Sequence, residues 1–203
     1  MDTFDAIEQR RSVKHFEPNH KLTDNELKKI LSLAVLSPTS FNMQNWRFVI
    51  VKDKILRKQI RAASWDQAQV TDASILLVVC ADLKSWKKDP AQYWINVPKD
   101  TQDFLVSSMG PFYADNEELQ RDEAMRSCGI AAQTIMLTAK SMGYDSNPMI
   151  GFDPNKVAEI INLPKDHIIS MLIAIGKQAK PPMPRGGQLP LEKVVFTDKF
   201  SQE

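Results

Sequence analysis

Apolar residues recur at helical spacing in several separate stretches of the chain. Leu27, Ile30, Leu31, Ala34 and Val35 form one such stripe, directly behind Thr23-x-x-Glu26. That tetrapeptide is a capping box, in which hydroxyl and carboxylate satisfy each other's exposed helix-start amides, so a helix is expected here. It should end near Ser37, because Pro38 disfavours the α conformation in the residue before it. A short opening helix is expected over residues 3–9 and another over 54–63. The longest is expected over 122–142, where Met125, Cys128, Ala132, Ile135, Ala139 and Met142 alternate at spacings of three and four before a capping Gly143. Asp153-Pro154 supplies an N-cap and a first-turn proline for a further helix with Val157, Ile160 and Ile161 as its stripe.

Continuous or alternating apolar runs predict strands at 46–51, 74–81 and 168–175, with Val194-Val195-Phe196 as a last strand. The two most apolar runs are far too short to cross a bilayer. Pro90 and Pro98 break the pattern over 83–100, a stretch that carries Trp86, Tyr93 and Trp94 and reads as an irregular segment, a lid or core packing. Residues 180–190, with four prolines and two glycines, read as an irregular arm. Together these elements predict one α+β or layered α/β domain over 1–203, with a C-terminal arm from about 180.

The chain has 203 residues, 26 Lys and Arg against 25 Asp and Glu, and a net charge of +1, which argues against nucleic acid or an anionic membrane as partner. Two cysteines in element-like settings predict reduced core thiols. Three histidines, His15, His20 and His167, lack metal-ligand spacing, and no metal is expected. The acidic opening segment does not resemble a secretory signal, so a cytoplasmic location is the default expectation. No GxGxxG, GxxxxGK[ST] or GxSxG motif is present.

Three polar loops remain as candidate chemistry. Arg10-Arg11-Ser12-Val13-Lys14 gathers three cations and a hydroxyl, a set suited to a phosphate or to a solvated turn. Ser37-Pro38-Thr39-Ser40-Phe41-Asn42-Met43-Gln44-Asn45-Trp46 is dense in hydroxyls and amides that read polyol and heterocycle edges or satisfy their own turn. Asn147-Pro148-Met149-Ile150-Gly151-Phe152-Asp153 places a permissive glycine just before a helix start, where free N–H groups attract electron-rich atoms.

In order and spacing these loops resemble the FMN-dependent nitroreductase family over nearly the whole chain. The Arg-x-Ser-x-Lys segment, the Ser-Pro-Thr-Ser-x-Asn-x-Gln-x-Trp loop, the Pro148 to Phe152 turn and Arg185 before Leu189-Pro190 carry the likeness. The resemblance implies a three-layer sandwich with a mostly antiparallel sheet, paired as an intertwined homodimer with non-covalent FMN at the subunit interface. It implies that Arg10, Ser12, Lys14 and Arg185 hold the phosphate, ribityl chain or pyrimidine edge, with Arg11 in the same segment. Pro38, Thr39, Ser40 and Asn42 would come from the other subunit, and the arm would extend to it. Gln67 and Gln69 would lie against the flavin ring, and Pro148, Met149, Ile150 and Gly151 over one edge of it. Lys14 and the backbone N–H of Ile150 or Gly151 are the catalytic candidates. Ile150 stands where many relatives have Glu, so any role of that carboxylate is lost. The implied activity is hydride transfer from NADH or NADPH to small planar oxidants such as nitroaromatics or quinones by a ping-pong route. Trp94, Phe104 and Phe112 are candidates for stacking on the substrate. A specialised dehalogenating or flavin-fragmenting enzyme and a non-catalytic FMN-storage protein are the rival readings.

Overall fold

The computed structural model describes residues 1–200. Its centre is a four-stranded sheet in the order β1-β2-β4-β3, from β1 (Trp46–Ile50), β2 (Ile75–Asp82), β3 (Asp145–Met149) and β4 (His167–Gly176). All three strand pairs are antiparallel. β2 is buried at every position, as an unbroken apolar run predicts. Its side chains alternate between two cores. Leu77, Val79 and Ala81 face α2 (Asp24–Ala34) and α6 (Glu117–Ser141), through Leu27, Ile30, Cys128, Ala132 and Ile135. Leu76, Val78 and Cys80 pack instead with Ile60 of α3 (Lys54–Ala62), Val70 of the short α4 (Gln69–Asp72) and Val157 of α7 (Pro154–Ile160). Helices on both faces of one sheet make the three-layer α+β sandwich.

Local signals explain most boundaries. The capping box forms as the sequence predicts, with Thr23 and Glu26 bonded reciprocally. Asp153 caps α7 with Pro154 at its first position, and Gly143 ends α6 in the left-handed region at φ 79°. The opening helix, α1 (Thr3–Gln9), has its expected bounds. Cys80 and Cys128 are buried free thiols, both pushed up to about 12 by burial. Of the small residues on α6, Ala131 and Ala132 pack into the core, while Gly129 has open space beside it. Among the described residues no helix is long and apolar enough to cross a membrane.

Four expectations need correction. The segment before residue 117 holds a further helix, α5 (Lys99–Tyr113), after 3-10 turns at Ser85–Lys87 and Pro90–Trp94. Its apolar residues are spread around the helix, with Phe104 and Phe112 exposed and Met109 and Tyr113 buried, so no single stripe announces it. α6 begins at Glu117, not 122, because the Asn116 side chain accepts from the Leu119 N–H and caps it there. Pro148 and Met149 belong to a strand rather than a turn; β3 is an edge strand, where a residue without an N–H is tolerated. Residues 194–196 form no strand. They follow a 3-10 turn at Leu191–Lys193 and stand exposed, without a neighbouring strand to take their backbone hydrogen bonds.

A hydrogen bond from the Tyr144 hydroxyl to Glu26 ties the start of α2 to the end of α6. With the Thr23 contacts it lowers the Glu26 carboxyl from 4.5 to about 2. A carboxyl whose pKa falls on folding stabilises the fold above its unfolded value and loses that contribution as it protonates. Urea unfolding should therefore show Tyr144→Phe destabilised at neutral pH, with the gap to wild type closing as pH falls from 4.5 towards 2. A gap independent of pH would refute the assignment.

Candidate active site

The basic segment leaves α1 and runs beside the sheet. Ser12 forms a parallel bridge with Ser146 of β3, and the Val13 N–H donates to the Ser146 carbonyl at 3.0 Å. Val13 is fully buried, which turns its neighbours Ser12 and Lys14 outward. The C-terminal arm folds back over this segment. Arg185 donates from Nη2 to the carbonyls of Ile7, Glu8 and Arg10 at 3.0–3.3 Å, capping the end of α1 with a cation.

Between arm and segment lies a cavity of about 580 Å³ lined by Arg10, Arg11, Ser12, Lys14 and Arg185, together with His15 and Lys180. Among the described residues none of Arg10, Arg11, Lys14 and Arg185 forms a salt bridge, and no carboxylate lines the cavity. Burial first, then the like charges of Arg185 and Arg11, lower the pKa of Arg10. Arg11 Nη1 is buried with no hydrogen-bond partner among the described residues. Guanidinium groups held together without a counter-charge fit a phosphomonoester, which would neutralise their repulsion. The sequence-predicted Arg10, Arg11, Ser12, Lys14 and Arg185 are thus brought to one place.

β3 leads from this cavity to the second cluster. Ser146 is followed by Asn147, Pro148, Met149 and then the exposed Ile150, roughly 14 Å away at about 3.4 Å per residue, and the half-buried Gly151. Gln67 Nε2 donates to the Gly151 carbonyl at 2.8 Å, and Gln69 Nε2 donates to Gln67 Oε1 at 3.0 Å. Both glutamines therefore brace the turn, and the buried Gln69 acts through Gln67. Sequence reasoning missed the neighbour of this turn, Trp65. Its indole packs so closely that a Cβ at position 151 would lie 2.8 Å from Cζ3. Glycine leaves room there for the indole to lie against the backbone.

The Pro38 to Asn42 loop forms a third cluster, built against α5 and α6. Thr39 Oγ1 accepts from the Gln44 N–H, the Ser40 N–H donates to Glu123, and Ser40 Oγ accepts from the buried Tyr113 at 2.7 Å. Asn42 Nδ2 donates to the Tyr93 carbonyl at 2.7 Å. Phe41, Asn42 and Gln44 all take left-handed backbone angles, at φ 49°, 50° and 46°. Conformations this costly for non-glycine residues persist only where surrounding contacts impose them. Phe41, Phe112 and Tyr113 supply part of that frame as an aromatic trio with centroids 4.9–6.0 Å apart. None of Pro38, Thr39, Ser40 and Asn42 lines the basic cavity of the same chain.

A group of Asp82, Asp166 and His167 also converges. Lys88 occupies it, bonding both Asp82 oxygens at 2.9 Å and Asp166 at 2.6 Å, while His167 Nδ1 lies 2.7 Å from Asp166. Hydrogen bonds from Lys88 and His167 hold the Asp166 carboxyl down at about 2. This cluster clips the segment carrying Trp86 and Trp94 to the sheet.

The nitroreductase family model matches residues 7–177, a span that includes all three clusters but not Arg185. The chain belongs to the nitroreductase family. It is 52% identical over 204 residues to Protein DrgA of Synechocystis, covering 98% of this chain and 97% of that protein. It is 36% identical over 182 residues to the oxygen-insensitive NADPH nitroreductase of Helicobacter pylori, covering 85% of each. Among solved structures, one from Exiguobacterium sibiricum, determined in complex with FMN, superposes with a TM-score of 0.88 at 27% identity, covering 97% of each chain. The nitroreductase fold expected from the sequence and this family membership agree, and the protein is an NAD(P)H-dependent oxidoreductase.

The Tyr113 hydroxyl should hold the loop over residues 39–44 in its left-handed form. Tyr113→Phe removes one hydrogen bond, and amide exchange at residues 39–43 should quicken about tenfold while the sheet amides are unaffected. Unchanged exchange in the loop would show that α5 does not brace it.

Proposed function

We propose that this protein is an FMN-dependent reductase that draws hydride from NADH or NADPH and reduces nitroaromatic or quinone-type oxidants by a ping-pong route. The observation that carries the reading is the basic cavity beside α1, where Arg10, Arg11, Lys14 and Arg185 meet without a counter-charge. FMN, when bound, would supply the redox chemistry, passing electrons from the nicotinamide donor to the oxidant.

Arg10, Arg11, Ser12 and Arg185 hold the phosphate end, and Lys14 stabilises negative charge on the pyrimidine edge. The roughly 14 Å from Ser146 to Ile150 suits an extended mononucleotide laid along β3, which brings the ring to the turn. There the backbone N–H of Ile150 or Gly151 would be the donor to the flavin ring, and Gln67 and Gln69 keep the turn in place. A side chain is not required for the N5 contact, so Ile150 can stand where relatives carry Glu. One FMN-binding domain spans 1–203, and its arm, from about 180, reaches a second subunit.

The functional unit in this reading is a homodimer in the cytoplasm. Pro38, Thr39, Ser40 and Asn42 stand apart from the cavity of their own chain and complete that of a second copy. Exposed Phe4, Ile7, Leu36 and Ile130 on or beside α1, α2 and α6, and Leu189, Leu191 and Val195 on the arm, supply apolar surface for the pairing.

Anaerobic addition of NADH and of NADPH to the FMN-loaded protein should bleach the flavin band with at least one donor, and a quinone should restore it. No bleaching with either donor would leave a storage protein; halide release or ring-cleavage products would favour the specialised enzymes. Arg10→Ala should raise the FMN dissociation constant about tenfold to a hundredfold by removing a charge-assisted contact, with the fold intact by circular dichroism. Unchanged affinity would remove Arg10 from the phosphate site.

A further inference from the structure

We infer that Trp65 is a specificity-determining residue, its indole forming one wall of the substrate space beside the Ile150–Gly151 turn and favouring flat aromatic oxidants. The inference rests on the flavin reading of that turn and adds a residue to it.

The argument starts from the end of α3. The Asp66 N–H donates to the Arg61 carbonyl at 3.0 Å, five residues back, so Trp65 occupies the left-handed position that closes a helix and that glycine fills best. Trp65 has φ 50° and Asp66 φ 57°, two successive non-glycine residues in that region. Arg61 fastens the pair through Asp66, at 2.7 Å from Nε and 3.3 Å from Nη2. A bulky aromatic here is costly to the backbone.

Burial does not offset that cost, because Trp65 remains 72% exposed. Only the ring edge is engaged, with Cζ3 and Cε3 against Gly151, and Ile150 beside it is 81% exposed. The chain thus holds a large apolar face in a strained position, out in solvent, next to the turn assigned to N5. Neither packing within the chain nor backbone preference accounts for the residue. An indole whose edge lies beside the turn offers an apolar face for stacking a flat electron-poor ring. A compact octahedral oxidant gains nothing from it.

The test uses FMN-loaded Trp65→Gly and Trp65→Phe. Glycine relieves the left-handed strain, so Trp65→Gly should match or exceed the wild-type melting temperature, whereas a residue kept for the fold would lower it. FMN content, dimer size and the rate with ferricyanide should stay at wild-type values. KM for a naphthoquinone and for 4-nitrobenzoate should rise about tenfold in Trp65→Gly and about threefold or less in Trp65→Phe, with kcat little changed. An unchanged KM for both flat oxidants overturns the inference. Loss of FMN or of the dimer in Trp65→Gly also overturns it, by placing the indole in cofactor binding or subunit contact. Failure of the underlying flavin reading would show separately, as wild-type protein that binds no FMN.

Discussion

Burial of β2 on both faces is the constraint on which the rest of the molecule depends. A strand with apolar side chains on each side needs a cover above and below, and the chain supplies α2 and α6 on one side and α3 and α7 on the other. The antiparallel neighbours then follow, since β1 and β4 must satisfy the backbone groups of a strand that no water reaches. β3 is left at the edge, and an edge accepts what an interior strand does not: a proline at 148 and a bridge to the basic segment at Ser12. The candidate site is therefore built on the margin of the sheet, where the backbone is free to meet a ligand.

At this margin the molecule concentrates charge that its own fold leaves unbalanced. Asp82 and Asp166 share Lys88 as a partner, and Asp82 also pairs with Arg47. Arg10, Arg11, Lys14 and Arg185 have no such partner among the described residues. Arg185 has a double part, because the same guanidinium that lines the cavity caps α1 and anchors the arm. Arm position and the cavity lining are coupled through one side chain. A net charge of +1 conceals this local arrangement, which suits one phosphate and not a long polyanion.

The two regions hardest to read in the sequence are those where packing overrode local pattern. α5 presents apolar residues around much of its circumference because it is buried at Met109 and Tyr113 and exposed at Phe104 and Phe112. β3 contains a proline that reads as a breaker until the strand is seen to lie at an edge. The opposite error occurred in the arm, where Val194-Val195-Phe196 has strand composition but no neighbouring strand. Each mismatch has the same cause: propensity describes a segment, while its neighbours decide whether that propensity is used.

The residues alone determined the helices with explicit caps, the doubly buried strand and the polar loops that carry the family likeness, because these depend on side-chain spacing and local hydrogen bonds. The sequence also showed which groups could bind a phosphate. Tertiary structure decided which of them meet. It brought Arg185 across the chain to Arg10, committed Gln67 and Gln69 to bracing Gly151, tied Ser40 to Tyr113, and set Trp65 in a strained, exposed position beside the turn. Those pairings join residues tens of positions apart, and only the folded backbone, by closing the intervening chain, brings such partners within contact distance.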